Sequence, residues 1–284
     1  LLIPFLAPWQ IVLAIVIVTI LFVYLPPRTK FFSSIAKKED VEAGILLGAT
    51  RLSISFLILA VLAAILGFPL SLLSASIAIV AFGDGMATVI GLTSARQEKT
   101  LRGSIAFLVF GSIFAFLSGS WVIYWQASAV PYEFMFFLAV IGSVVGALIE
   151  VVSTEVNDSL TVPLGSAMAM WLFSGLKYFV EPQYLLLTLL FTLSIGMASY
   201  KSKIADLSGV LSGTLLGLLI IVFTDLRWFA ILLAFLILGS AFTRYKYAYK
   251  LSIGVAQSKG GARGVSNVFG NGLAALVFAI AYGI

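Results

Sequence analysis

The chain has 284 residues, 61% of them hydrophobic and only 10% charged, with a mean hydropathy of +1.14 and a net charge of +5. A soluble domain carries about 25% charged residues, so the composition excludes one and marks an integral membrane protein. Long continuous apolar runs, rather than short alternating segments, exclude a β-barrel and give an all-α polytopic class.

In chain order the apolar runs predict about ten transmembrane helices. They cover residues 4–25, 44–66, 70–92, 104–125, 133–153, 160–179, 183–200, 206–224, 228–243 and 264–283. The chain opens on Leu1 rather than Met, which reads as a trimmed start. Residues 1–25 lack the basic segment and small-residue cleavage site of a signal peptide, so they read as a mature helix. Apart from Lys177 and Arg227, every basic residue falls in or at the edge of an odd-numbered loop. The positive-inside rule then puts the odd loops in the cytoplasm and the N-terminus outside. Most acids share that face: Glu39, Asp40, Glu42, Glu98, Glu155, Asp158 and Asp206 lie in odd loops. Asp84 and Glu150 lie inside spans near the ends that feed odd loops.

There is no Cys and no His. Disulfides, thiolate nucleophiles, zinc sites and imidazole acid–base chemistry are therefore excluded. Oxygen donors remain, and these suit Mg²⁺ or Mn²⁺.

Three segments converge on the charged face. In AFGDGMATVIG, Asp84 stands between Gly83 and Gly85 in an apolar run. An acid at membrane depth costs about 2.5–3.5 kcal/mol on the insertion scale and is functional by default. The flanking glycines leave room for backbone or phosphate to approach. The plainer reading pairs Asp84 with Arg51 or Lys99. In RQEKTLRGS, Lys99 and Arg102 precede the fourth span, and Thr100 is placed to cap it. Basic groups at a helix start form an anion site, although topogenic charges look the same. In IEVVSTEVNDSLTVPLG, Glu150, Glu155, Asn157 and Asp158 cluster between the fifth and sixth spans, ahead of Pro163. Capping is the commoner role for such loop acids. Acids from the first and third segments, with Lys and Arg from the second, suit a Mg²⁺–polyphosphate site.

These motifs resemble the phytol kinase/dolichol kinase family over about residues 40–179. Members use a nucleoside triphosphate, typically CTP, to phosphorylate a long isoprenoid alcohol. The resemblance implies that Asp84, Glu150 and Lys99 are catalytic. It implies nucleotide binding by Gly83, Gly85, Lys99, Thr100, Arg102, Gly103, Ser104, Asn157 and Asp158. Mg²⁺ would be held by Asp84, Glu150 and Asp158. Arg102 and Asn157 depart from the family pattern. Residues 184–284, with LSGVLSGTLLG, GSAFTRYKYAYK and GGARGVSNVFGNG, resemble the first half of a membrane family that includes phytyl-phosphate kinases. An acidic motif of that family's second half has no counterpart, so this segment reads as incomplete. There Arg263, Asn267 and Asn271 would line a phosphate site, and their spacing of four puts them on one helix face. Gly209, Gly213 and Gly217, and Gly142 and Gly146, read as packing positions.

The expected organisation is therefore a kinase-like domain over 1–180 and a second membrane segment over 181–284. The expected partners are the bilayer, an isoprenoid alcohol and a nucleoside triphosphate. No nucleic acid is expected, and a homodimer is left open. Two alternatives stand. One is a cytidylyltransferase making a CDP-lipid, which would release diphosphate instead of CDP. The other is a ten-helix transporter with Asp84, Arg51 and Glu150 at a midplane site. No inverted repeat is evident, and the nearly uncharged even loops weigh against transport.

Overall fold

Backbone N–H and C=O groups find no water in hydrocarbon, so each apolar run has to satisfy them within a helix. The computed structural model describes residues 1–24, 29–36, 38–91, 99–153, 158–256 and 261–284. All ten apolar runs are helical, and no strand forms among the described residues. Among the described residues, eight helices are long and apolar enough to cross a membrane. The remaining two runs, Pro8–Tyr24 and Leu207–Phe223, make helices of 17 residues each. The protein is an all-helical integral membrane protein.

The chain forms two compact units, Leu1–Lys177 and Tyr178–Ile284. The first contains α1 (Pro8–Tyr24), two short loop helices α2 (Lys30–Ile35) and α3 (Lys38–Ala43), and α4 (Leu47–Leu66). Next come α5 (Leu70–Ala78), a π-helical segment (Ile79–Asp84) and α6 (Gly85–Gly91), which run on as one span. Then follow α7 (Leu101–Trp125), α8 (Tyr132–Val152) and α9 (Asp158–Leu176). The two short loop helices have no apolar run to announce them. Local polar groups hold their surroundings: Thr29 caps α2 by accepting from Phe32 N, and Asp40 accepts from Leu47 N at 2.7 Å to cap α4.

In this unit α8 is central, with 72% of its apolar core enclosed by protein. It packs on α7 and α9, while α1 lies along α4. Lipid is as apolar as leucine, so close packing of small residues holds such a bundle. Phe107 of α7 shows how. It is fully buried, and a Cβ added at Gly83 or Gly146 would meet its ring at 3.2 or 3.1 Å. Pro163 inside α9 leaves the Ser159 carbonyl without its helical donor. Ser55 of α4 donates to that oxygen at 3.4 Å.

At 25 residues, α7 is about 37 Å long, enough to cross a core of about 30 Å. Its C-terminal end carries Trp121, Tyr124 and Trp125 in mutual ring contact, with Phe5 against Trp125. Such rings mark a membrane interface. The opposite end begins beside Lys99.

The second unit contains α10 (Pro182–Lys201), α11 (Leu207–Phe223), α12 (Leu226–Arg244), α13 (Tyr247–Ser252) and α14 (Val265–Gly283). α11 is apolar all round and buried nearly throughout, as such a helix must be. By contrast, only 11% of the apolar core of α12 is enclosed. The extended residues before α11 and α14 lie side by side: Arg263 N donates to Ile204 O, and Asp206 N donates to Arg263 O at 3.0 Å. This crossing is why Gly209 is glycine, since a Cβ there would overlap the Arg263 carbonyl. Gly213, one turn on, has nothing within 4 Å of an added Cβ. The two positions should therefore respond oppositely. Gly209→Ala is expected to destabilise by about 1–3 kcal/mol through overpacking. Gly213→Ala should be neutral or gain up to about 1 kcal/mol of helix propensity. Thermal unfolding of the two variants in detergent measures the contrast.

Candidate functional site

The site in the first unit begins with helix termini. Thr100 is extended, and its hydroxyl accepts from Gly103 N at 3.1 Å, so it caps α7 as its position predicts. The cap aligns the start of α7 with the end of α8 and the start of α9. Three charged side chains meet there. Lys99 Nζ donates to Glu150 Oε1 at 2.9 Å and to Asp158 Oδ2 at 3.3 Å. These are the two ion pairs found among the described residues. The Glu150 side chain is 8% exposed, while Lys99 and Asp158 are 38% and 42% exposed. The triad thus runs from the protein interior to the surface.

Burial alone would lower the pKa of the Lys99 ammonium. The hydrogen bond and charge of Glu150, with those of Asp158, outweigh burial and hold it above the ordinary 10.5. A raised lysine pKa stabilises the fold fully below the unfolded value, and that contribution disappears as pH climbs through the folded one.

Asp84 lies deeper. Gly91, at the end of α6, faces Thr100: an added Cβ would sit 3.5 Å from its Oγ1. Asp84 is seven residues earlier, about 10 Å down the helix axis. It closes the π-helical segment, is half-buried, and its carbonyl accepts from Thr88 Oγ1 at 3.0 Å. π segments in transmembrane helices frequently mark functional sites. Among the described residues no three acids gather closely enough to hold a metal ion. Asp84 therefore does not complete a three-carboxylate cage with Glu150 and Asp158. Nor does any ion pair among the described residues join it to Arg51 or Lys99.

Two carboxylates do converge, and Mg²⁺ is commonly held by one or two carboxylates together with substrate phosphates. That Glu150 and Asp158 share one cationic partner shows that they can serve one cation, so this donor pair fits the ion.

The other expected residues divide by environment. Arg102 is exposed in the first turn of α7. Gly103 is buried, and an added Cβ would lie 3.1 Å from the Ala87 carbonyl; Ser104 is 2% exposed. Gly103 thus packs at the crossing of α6 with α7, and Ser104 is enclosed by protein. Gly83 likewise makes room for Phe107, whereas Gly85 is exposed with nothing within 4 Å of an added Cβ. Asn157, with Glu155, lies outside the described residues.

In the second unit a cavity of about 170 Å³ lies among α10, α11, α12 and α14. Leu216, Phe229, Leu232 and Leu236 make its wall apolar, and Arg263, Asn267 and Asn271 supply polar groups. Arg263 Nη1 donates to Asn267 Oδ1 at 3.1 Å, and Nη2 donates to Thr243 Oγ1 at 2.9 Å. Its Nε is buried and has no hydrogen-bond partner among the described residues. Asn271 donates to the Asn267 carbonyl at 2.8 Å. Thr243 escaped the sequence reading, although it lies within the GSAFTRYKYAYK stretch. Gly213 lines the cavity, while Gly217 packs, an added Cβ meeting Phe229 at 2.6 Å.

Removing Lys99 leaves the buried Glu150 without its partner. Lys99→Ala should destabilise by about 1–3 kcal/mol, between the ranges for exposed and buried pairs. Lys99→Met combined with Glu150→Gln should recover most of the loss. In wild type the Lys99 contribution should hold from neutral pH to about 10 and fall above 10.5. Melting curves across that range, run on wild type and variants, read both effects.

Residues 190–284 match the model of a family described as integral membrane protein DUF92. No curated protein and no solved structure matches the chain.

Proposed function

We propose that the protein is a membrane lipid kinase that transfers the γ-phosphate of a nucleoside triphosphate, CTP by resemblance, to a long-chain isoprenoid alcohol. The observation that carries this reading is the meeting of Lys99, Glu150 and Asp158 beside the capped start of α7. The distribution of basic residues supports ten spans, an outside N-terminus and a cytoplasmic position for this site.

Phosphoryl transfer depends on positioning and charge neutralisation more than on covalent chemistry. Lys99, Arg102 and the backbone N–H groups opening α7 would engage the phosphates. Glu150 and Asp158 would hold Mg²⁺, which would supply neutralisation of the phosphate charge. The alcohol would enter from the bilayer with its chain along the helices. Its oxygen bonds to the γ-phosphorus as the bond from that phosphorus to the β,γ-bridging oxygen breaks. CDP leaves, and the hydroxyl proton passes to a carboxylate. The proposed base is Asp84 or Glu150, with Asp84 on the side from which the alcohol would arrive. Asp84→Asn is expected to lower turnover by roughly 100-fold or more. Purified protein given CTP, Mg²⁺ and geranylgeraniol provides the assay; undiminished lipid phosphate would remove Asp84 from the mechanism, and diphosphate release would favour the cytidylyltransferase.

The cavity in the second unit favours a further reading, in which that unit binds the phosphorylated product for a second phosphorylation. Its apolar wall suits a lipid chain, and the unsatisfied Arg263 Nε suits an anionic head. Arg263→Ala should weaken binding of geranylgeranyl phosphate at least tenfold and leave geranylgeraniol binding unchanged. Equilibrium binding in detergent distinguishes the two ligands.

A further inference from the structure

The two carboxylates that suit a divalent ion already hold a cation, and it belongs to the chain. Lys99 Nζ lies 2.9 Å from Glu150 Oε1 and 3.3 Å from Asp158 Oδ2, between acids carried by different helices. The same ammonium is needed at the phosphates if the kinase reading holds. A single amine cannot neutralise both partners at once.

We infer that Lys99 is an exchangeable counter-ion, which occupies the divalent-cation position while the site is empty and moves to the nucleotide phosphates when the ion arrives. This deepens the proposed function and rests on its assignment of Glu150 and Asp158 to the ion.

Three features make the exchange physically reasonable. Glu150 is 6% exposed, and a buried carboxylate left without a partner is strongly unfavourable. Its neutralisation must therefore be continuous, first by Lys99 and then by the ion. Lys99 itself is 38% exposed, so its side chain already meets solvent. It also directly precedes Thr100, whose cap bond to Gly103 fixes the start of α7. Rotation of the lysine side chain then alters neither the cap nor the helix. The freed ammonium stays beside the N–H groups that open α7, where an anion is favoured.

The consequence is competition. The divalent ion binds an empty site weakly because it must displace Lys99, and nucleotide strengthens it by giving Lys99 a new partner.

Amine labelling of the wild-type protein in detergent tests this directly. With a succinimidyl ester and peptide mapping, millimolar Mg²⁺ without nucleotide should raise the acylation rate of Lys99 several-fold, while Lys201 stays constant as a control. Mn²⁺ binding followed by electron paramagnetic resonance should be at least tenfold tighter in Lys99→Met than in wild type. That gain should vanish in Lys99→Met/Asp158→Asn. An unchanged Lys99 labelling rate overturns the exchange, and that result stands whether or not the variants fold. Equal or weaker Mn²⁺ binding by a folded Lys99→Met also overturns it. Neither readout depends on turnover. A wild type that shows the exchange yet forms no lipid phosphate from CTP would sink the kinase reading alone.

Discussion

The ion triad at the start of α7 sets the terms for the rest of the first unit. Glu150 belongs to α8, the most enclosed span of that unit, and a carboxylate there requires a cation within reach. Lys99 supplies it from just ahead of α7, and Asp158 joins from the first residue of α9. One ammonium thereby links the beginnings of two helices to the end of a third. The Thr100 cap, one residue on, fixes where α7 begins. Without that pairing, the end of α8 and the start of α9 would lose their shared ionic tie to the start of α7.

Packing then decides how deep the polar groups go. The α6–α7 crossing is close because Gly83 admits Phe107 and Gly103 admits the Ala87 carbonyl. The π-helical segment just before α6 ends on Asp84, a half-buried acid about two turns below Lys99. Glycines that look alike in sequence therefore differ physically. Gly83 is occupied by a neighbouring ring, and Gly85 faces open space.

Some of this is legible in residues alone. Apolar runs locate the helices because hydrocarbon permits little else. Thr100 is recognisable as a cap from its place before an apolar run. The spacing of Arg263 with Asn267 and Asn271 predicts one shared helix face, but Arg263 precedes α14 in an extended bridge to Ala205 and reaches Asn267 from outside the helix. Other features depend on partners distant in sequence. The resemblance implies that Gly103 binds nucleotide, yet Gly103 is buried where α6 crosses, against the Ala87 carbonyl. The π segment leaves the apolar pattern of its span unbroken, so hydropathy does not reveal it. Thr243 is one hydroxyl among many until Arg263, twenty residues on, folds back to it. The grouping of Lys99 with Glu150 and Asp158 is anticipated by the charge distribution. Their separation from Asp84 is not, because loop counting gives a membrane face but no depth.

The two polar sites differ in a way that bears on what each can accept. In the first unit two carboxylates surround one ammonium, so the triad carries a net negative charge when all three are ionised. A polyphosphate approaching it alone meets repulsion, whereas one accompanied by a divalent ion brings the missing positive charge. In the second unit Asp206 caps α11, accepting from Ser208 Oγ and Gly209 N. The Arg263 guanidinium is bonded to a threonine hydroxyl and an amide oxygen, neither of which cancels its charge. On the proposed reading, that cavity would take an anion without a metal. A triphosphate with its ion suits the first arrangement, and an anionic head on an apolar chain suits the second. A chain that makes a lipid phosphate in one unit and holds it in the other would need this division of charge.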